Sequence, residues 1–258
     1  MNEFTKLAER AGREAGAFLK IKFNGKLTIE KKGQIDLVTD ADRGAEKIIN
    51  DIILSEYPDH KILAEEGGET SNESNYLWLV DPLDGTTNFA HGLPFYCVSI
   101  ALMKDNELLS ACIYNPNLDE CFVAEKEAGA YLNGEQISVS KTDLINDSLL
   151  ATGFPYDIRI SESDNIAQFK AFAKTAQAVR RPGSAALDLA YTACGRLDGF
   201  WEFKLSPWDI AAGILMVLEA GGKVTSYDGT DVDIKSGEVL ASNGLIHDEM
   251  LKVLQTTL

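Results

Sequence analysis

Apolar residues recur every three to four positions over residues 3–20 and again over 41–57, so the chain opens with two amphipathic helices. The period then changes. Tyr76-Leu77-Trp78-Leu79-Val80 is an unbroken apolar run, which predicts a buried strand. Between residues 96 and 140 short apolar runs alternate with turn residues, and Asn133-Gly134 marks a hairpin within this meander. The later part alternates strands with helices. Strands are expected near 148–152, 177–181, 199–203, 222–227 and 239–242, with helices over 185–194 and 210–220 and a last one over 247–257. Runs of strands followed by alternating β and α units predict an α/β protein of α+β-type layering, with two sheets and helices between them. Neither a repeat nor a low-complexity linker divides the chain. It reads as one unit over residues 1–258 with two lobes, approximately 1–145 and 146–258.

Candidate chemistry begins where the apolar run stops. Asp81-Pro82-Leu83-Asp84-Gly85-Thr86-Thr87-Asn88 places two carboxylates at a strand end and then turns on a glycine. Mg²⁺ takes hard oxygen ligands, usually one or two carboxylates with water and substrate phosphate. Asp81, Asp84 and the Leu83 carbonyl can supply them from one turn, and a helix opening at Gly85-Thr86 would aim free N–H groups at an anion. The octet reads equally well as an Asp-Pro and Asp-Gly turn. A second acidic element tips the balance: Ser206-Pro207-Trp208-Asp209 opens a helical stretch closed by Gly221-Gly222. Ser as N-cap, Pro at the first helical position and Asp at the third make an efficient helix start. The same carboxylate can cap and ligate.

Together these residues resemble the inositol monophosphatases, Mg²⁺-dependent and lithium-sensitive phosphomonoesterases. The resemblance rests on residues 78–89, from Trp78 to Phe89, and on Trp208-Asp209-Ile210-Ala211-Ala212-Gly213 through Glu219-Ala220-Gly221-Gly222. Asp36-Leu37-Val38-Thr39-Asp40-Ala41-Asp42, Ala64-Glu65-Glu66 and Gly183-Ser184-Ala185-Ala186 support it in order and spacing. A lysine that precedes the Asp-Leu-Val-Thr segment in the family matches either Lys31 or Lys32 here and is given no role. The resemblance implies a five-layer α-β-α-β-α sandwich with both motifs at the seam. It implies that Glu65, Asp81 and the Leu83 carbonyl hold one Mg²⁺, that Asp81, Asp84 and Asp209 hold a second, and that a third, weaker position leans on Glu65. Mn²⁺ is a possible substitute. Thr86 and Glu65 would orient and deprotonate the attacking water, with Asp42 behind Thr86. The Gly85 and Thr86 amides would receive the phosphate. Gly183, Ser184, Ala185, Glu202 and Asp209 would face the alcohol, with Asp84 at the junction.

Each position also has a plainer reading. Glu65 and Glu66 follow a short apolar segment, and alternation lets only one of them face the site. By themselves both read as an exposed acidic turn. Asp42 stands three residues beyond Thr39, the spacing of a capping box. Ser184 reads as an N-cap, and Glu202 as an outward carboxylate on a strand with one wet face. Arg180-Arg181 reads as a solvated strand end, or as the partner of a second substrate phosphate.

Composition narrows the partners. The chain has 258 residues, 45% hydrophobic and 25% charged, with a net charge of −16, which argues against nucleic acid or an anionic membrane as default partners. Residues 56–84 hold eight acids against one lysine. Without cations, carboxylates about 4 Å apart repel by several kcal/mol even at an effective dielectric of about 20, so metal binding should order such a site. Cys97, Cys112, Cys121 and Cys194 lack metal-ligand spacing and read as reduced core residues. His60, His91 and His247 are too scattered for a histidine cage or a Ser-His-Asp triad. The first residues resemble no signal or transit peptide, and no run is long enough to span a bilayer, which suggests the cytoplasm. The expected activity is Mg²⁺-dependent hydrolysis of myo-inositol monophosphate, with fructose-1,6-bisphosphatase or a dual enzyme as runner-up. From the resemblance also come a homodimer and, as a different class, a regulatory binding protein of the same fold.

Overall fold

Helix α1 (Glu3–Phe23) starts at Asn2, whose side-chain oxygen accepts the Thr5 amide at 2.8 Å, and buries Leu7, Ala8, Ala11, Ala15 and Leu19 along one stripe. The computed structural model describes residues 1–25, 29–31 and 37–257; Lys32 and Asp36 lie outside the described residues. An antiparallel pair, β1 (Ile29–Lys31) and β2 (Leu37–Thr39), leads into α2 (Asp40–Glu56). The capping box predicted there is present: Asp42 accepts the Thr39 amide at 2.8 Å and the Thr39 hydroxyl at 2.6 Å.

The first sheet contains β3 (Lys61–Ala64), β4 (Gly68–Glu69) and β5 (Tyr76–Asp84). After the short helix α3 (Thr86–Ala90) come β6 (Cys97–Lys104), β7 (Glu107–Asn115), β8 (Glu120–Glu125), β9 (Gly129–Leu132) and β10 (Glu135–Gln136). Their order is β10-β9-β8-β7-β6-β5-β3-β4. Asn133 and Gly134 both have positive φ, 51° and 86°, the backbone that a two-residue hairpin turn demands. The second sheet and the helices around it follow in the order β11 (Leu149–Thr152), α4 (Ile166–Thr175), β12 (Ala178–Arg180), α5 (Ala185–Ala193), β13 (Gly199–Glu202), α6 (Pro207–Glu219), β14 (Lys223–Thr225), β15 (Val239–Ser242) and α7 (His247–Gln255). Its order is β12-β11-β13-β15-β14, parallel through β12-β11-β13 and antiparallel beyond.

Three apolar clusters define the layers. On β5, Trp78 and Val80 face α1 and α2, packing with Leu19, Ile49 and Ile53. Leu79 faces the other way, toward α5 and α6. That alternation inside an unbroken apolar run is what a strand covered on both sides requires. The central helices contribute Leu187, Leu189, Ile214 and Met216 to a cluster that continues into Phe200, Val239 and Ala241 of the second sheet. Beyond that sheet, Trp201 and Leu240 pack with Phe172 of α4 and with Met250 and Leu254 of α7. The result is the expected α-β-α-β-α sandwich. Within the central layer, a Cβ on Gly213 would lie 2.4 Å from Leu189 Cβ, so only glycine lets α5 and α6 approach this closely.

Two local expectations need correction. Strand β13 has no wet face, because α5 and α6 cover one side of it and α4 and α7 the other, and Glu202 is therefore buried. Arg181 is not merely a solvated strand end: β12 stops at Arg180, and Arg181 lines the cleft described below.

Candidate active site

The two acids of the first motif are set by an irregular strand end. β5 pairs with β6 in register as far as Asp81 opposite Ser99, and pairing resumes with Asp84 opposite Cys97. Pro82, which has no amide to donate, occupies the shift. Asp81 accepts the Leu83 amide at 2.9 Å, folding the turn around its own carboxylate. Gly85 follows with φ 93°, and a Cβ there would lie 2.9 Å from the Phe95 carbonyl, so the turn needs glycine twice over.

Thr86 then opens α3. Its hydroxyl contacts the Leu83 carbonyl at 2.9 Å and Asp42 Oδ1 at 3.1 Å, while Asp42 Oδ2 serves the α2 cap. A hydroxyl has one proton, so both contacts commit it inward and leave the oxygen lone pairs toward the cleft. Asp42 thus caps α2 and supports Thr86 with different oxygens; burial raises its pKa, against the pull of the Thr39 and Thr86 hydrogen bonds.

Two bonds bring the start of α5 to this turn. Asp84 Oδ2 accepts the Ser184 hydroxyl at 2.6 Å and the Ala186 amide at 2.7 Å, so it reaches the first turn of α5. Ser184 also caps that helix through the Leu187 amide at 3.3 Å. Ser99, opposite Asp81, donates to the Trp208 carbonyl at 3.2 Å and so holds the start of α6 beside β5. Asp209 accepts the Ser206 amide at 2.7 Å, closing the predicted cap.

Glu65, Asp81, Asp84 and Asp209 consequently line a single cleft of about 670 Å³. Gly85, Thr86, Gly183, Ser184, Ala185 and Glu202 line it too. The neighbouring Glu66 does not line the cleft; its backbone amide donates to Glu46 at 2.9 Å and its charge raises Asp42. Burial pushes Asp81 well above the usual carboxylate range, and Glu65, Asp84 and Asp209 push it further. Asp209 is likewise raised, by burial and then by Asp84. Asp84 rises to about 6 through burial, restrained by Ser184, the α5 amides and Arg181.

Among the described residues, no three acidic, histidine or cysteine side chains are gathered in an arrangement that could hold a metal ion as it stands. Their hydrogen bonds explain this. Asp84 is turned toward α5, Asp209 toward Ser206, and Asp81 toward its own turn. The donor set nonetheless fits a divalent cation: several hard oxygens share one cleft and raise one another's pKa, a repulsion that added positive charge relieves.

Sequence reasoning missed several residues. The Asn88 amide bridges the Phe95 carbonyl at 2.8 Å and the Pro182 carbonyl at 2.9 Å, tying α3 to the loop before α5. Asp188 and Lys204 line the cleft, as does the 154–158 segment through Phe154, Tyr156 and Ile158. Pro182 is 94 residues from Asn88, and Asp157, which binds Lys204, is 47 residues from it, so no local pattern marks these contacts. The cysteines are free, with Cys97, Cys112 and Cys121 buried, and no helix among the described residues is long and apolar enough to cross a membrane.

Comparison with known proteins extends over nearly the full length. The model of the inositol monophosphatase family matches residues 1–257. The inositol-1-monophosphatase of Synechocystis sp. is 46% identical over 259 residues, covering 100% of this chain and 90% of that protein. The Nus factor SuhB of Pseudomonas aeruginosa is 42% identical over 262 residues, covering 99% and 97%. Among solved structures, the inositol monophosphatase from Anabaena (Nostoc) sp. superposes with a TM-score of 0.91 at 43% identity, covering 99% of this chain and 96% of that one.

Proposed function

The chain belongs to the inositol monophosphatase family and is a phosphatase, and within that family we propose that it hydrolyses myo-inositol monophosphate to myo-inositol and phosphate. The observation that carries the proposal is the convergence of Glu65, Asp81, Asp84 and Asp209 on one cleft beside the Thr86–Asp42 pair. Glu65, Asp81, the Leu83 carbonyl, Asp84 and Asp209 would hold two Mg²⁺ ions, with a third leaning on Glu65 and Mn²⁺ as a substitute. Bound there, the ions supply positive charge against the phosphate and against the oxygens that attack and leave.

The chain's own groups do the rest. Thr86 Oγ1, its proton turned inward to Leu83 and Asp42, accepts a hydrogen bond from the attacking water and fixes its lone pair toward phosphorus. Glu65 takes the water's proton as the bond from phosphorus to the inositol oxygen breaks, and that oxygen leaves as the alcohol after taking a proton from solvent water. The Gly85 and Thr86 amides at the start of α3 bind phosphate oxygens. Gly183, Ser184, Ala185, Glu202 and Asp209 orient the alcohol, with Asp84 between the two halves of the ester. A cytoplasmic homodimer is the compartment and assembly that accompany this reading.

Phosphate release from myo-inositol 1-phosphate with Mg²⁺, and its loss with a chelator, tests the reaction. Asp84→Asn and Asp209→Asn should each lower kcat by about 10²-fold or more while remaining folded, with cooperative melts in the presence of a chelator. Full activity in either variant sinks the ligand assignment. Arg181 in the cleft favours a second substrate, fructose 1,6-bisphosphate, and the same assay with that ester decides. Relatives named Nus factor SuhB favour a regulatory binding role beside catalysis. A cellular phenotype indifferent to Asp84→Asn would support that role.

A further inference from the structure

Asp188 sits in the first turn of α5, is 1% exposed and lines the cleft, yet its Oδ1 is buried without a hydrogen-bond partner. The usual reason for an acid near a helix start does not apply. The α5 amides of Ala186 and Leu187 are taken by Asp84 and by Ser184, and the capping serine bonds the third helical position, one before Asp188. No ion pair among the described residues reaches it either. What surrounds Asp188 is more acid: burial raises its carboxyl well above the ordinary range, Glu202 and Asp84 add to this, and only Arg181 opposes. Burying an unpartnered polar oxygen costs about 1–3 kcal/mol. Retaining one in the wall of a substrate cleft makes sense where the occupant supplies the donor.

We propose that Asp188 is a specificity-determining residue, whose buried carboxyl oxygen accepts a hydrogen bond from a hydroxyl of a neutral polyol on the alcohol side of the phosphate ester. The placement supports the polyol over other alcohols. Asp188 lines the same cleft as Glu202, which lies on the Phe200 face of β13, is buried against Gly153 and raises the Asp188 carboxyl by its charge. A ring that carries several hydroxyls can offer donors to both carboxyls, whereas an alkyl or aryl alcohol would leave Asp188 Oδ1 unpaired. In either protonation state a carboxyl keeps an oxygen able to accept. The inference rests on the phosphatase reading above and adds a residue to it.

Asp188→Leu and Asp188→Asn separate this role from a structural one. In the Mg²⁺-loaded enzyme, Asp188→Leu should raise KM for myo-inositol 1-phosphate by about tenfold or more. Its kcat/KM for p-nitrophenyl phosphate, an ester with no free hydroxyl on the alcohol, should stay within about threefold of the parent value. With the orphaned oxygen removed, the melting temperature should hold or rise by about 2–4 °C. Asp188→Asn keeps an acceptor oxygen and should retain most of the preference for the polyol ester. An unchanged KM for the inositol ester in Asp188→Leu overturns the proposal. So does a lower melting temperature with parallel losses on both esters, or failure of Asp188→Leu to fold, since each makes the carboxyl a structural requirement. A parent enzyme inactive on both esters would instead refute the phosphatase reading and take this proposal with it; activity on p-nitrophenyl phosphate keeps the two failures apart.

Discussion

Glu202 shows how far one side chain's behaviour depends on layers it does not touch in sequence. Covered on both faces, β13 has no solvent side, so burial raises the Glu202 carboxyl from 4.5 to about 8, with Asp84 adding to the rise and Arg181 opposing it. Between those two values the folded protein holds this proton and the unfolded chain does not. Stability should therefore fall as pH rises across that window and level off above it. Glu202→Gln should flatten that part of the curve, and the variant should be more stable than the parent near pH 8 and nearly equal near pH 4.5. Urea titrations across that range measure it, and identical slopes would contradict the assignment. At this scale the sequence made Asp81, Asp84 and Asp209 legible, because each stands at a strand end or a helix start whose chemistry is local. The contacts of Asp188 and Asn88 were not legible, since what matters about them is the company they keep after folding, and Arg181 was read only as one of two alternatives. Glu65 lay between: alternation limited the choice to one of two adjacent acids without selecting it.

Helix α2 and its cap join an element's stability to the reaction. Thr39 and Thr86 bind different oxygens of Asp42, at 2.6 and 3.1 Å, so the two roles can be separated by substitution. Thr39→Ala removes a cap interaction and should cost about 1 kcal/mol of stability while leaving kcat nearly unchanged. Asp42→Ala should cost a similar amount and also lower kcat by at least about tenfold, because Thr86 loses the acceptor that holds its proton inward. Denaturant melts and phosphate release on the same preparations distinguish them; equal kcat losses would place Asp42 solely in the cap. Element starts such as this one were readable because capping chemistry spans only three residues. Element surroundings were less so. The apparent wet face of β13, the one that carries Phe200 and Glu202, was wrong because α5 and α6 of the central layer cover it, and that packing is set by the first sheet on their other side. Helix α4 itself begins at Ile166 after an Asn165 in left-handed conformation, φ 67°, with no side-chain cap to announce it.

Across the whole molecule, the acids of the cleft come from two layers. Glu65, Asp81 and Asp84 come from the first sheet; Asp209 comes from the helix layer that packs between the sheets. A shared apolar cluster packs these layers together, and within it the contacts of Asp84 with Ser184 and of Ser99 with Trp208 set the acids at one place. A divalent ion held by both sets would tie the layers together in the folded state and find no such site in the unfolded chain. Mg²⁺ at about a hundred times its dissociation constant should then add about 2.7 kcal/mol of stability. For a chain of this size that is a rise of roughly 5–10 °C in melting temperature. The increment should shrink sharply in Asp84→Asn and in Asp209→Asn, although these residues stand on β5 and α6, and it should survive Asp188→Asn, which removes no proposed ligand. Calorimetric melts of the four proteins with Mg²⁺ and with a chelator carry the test. An increment that persists in Asp209→Asn would mean that the ion sits on the acids of the first sheet alone, and the seam between the sheets would lose its role as the place where α6 completes the site.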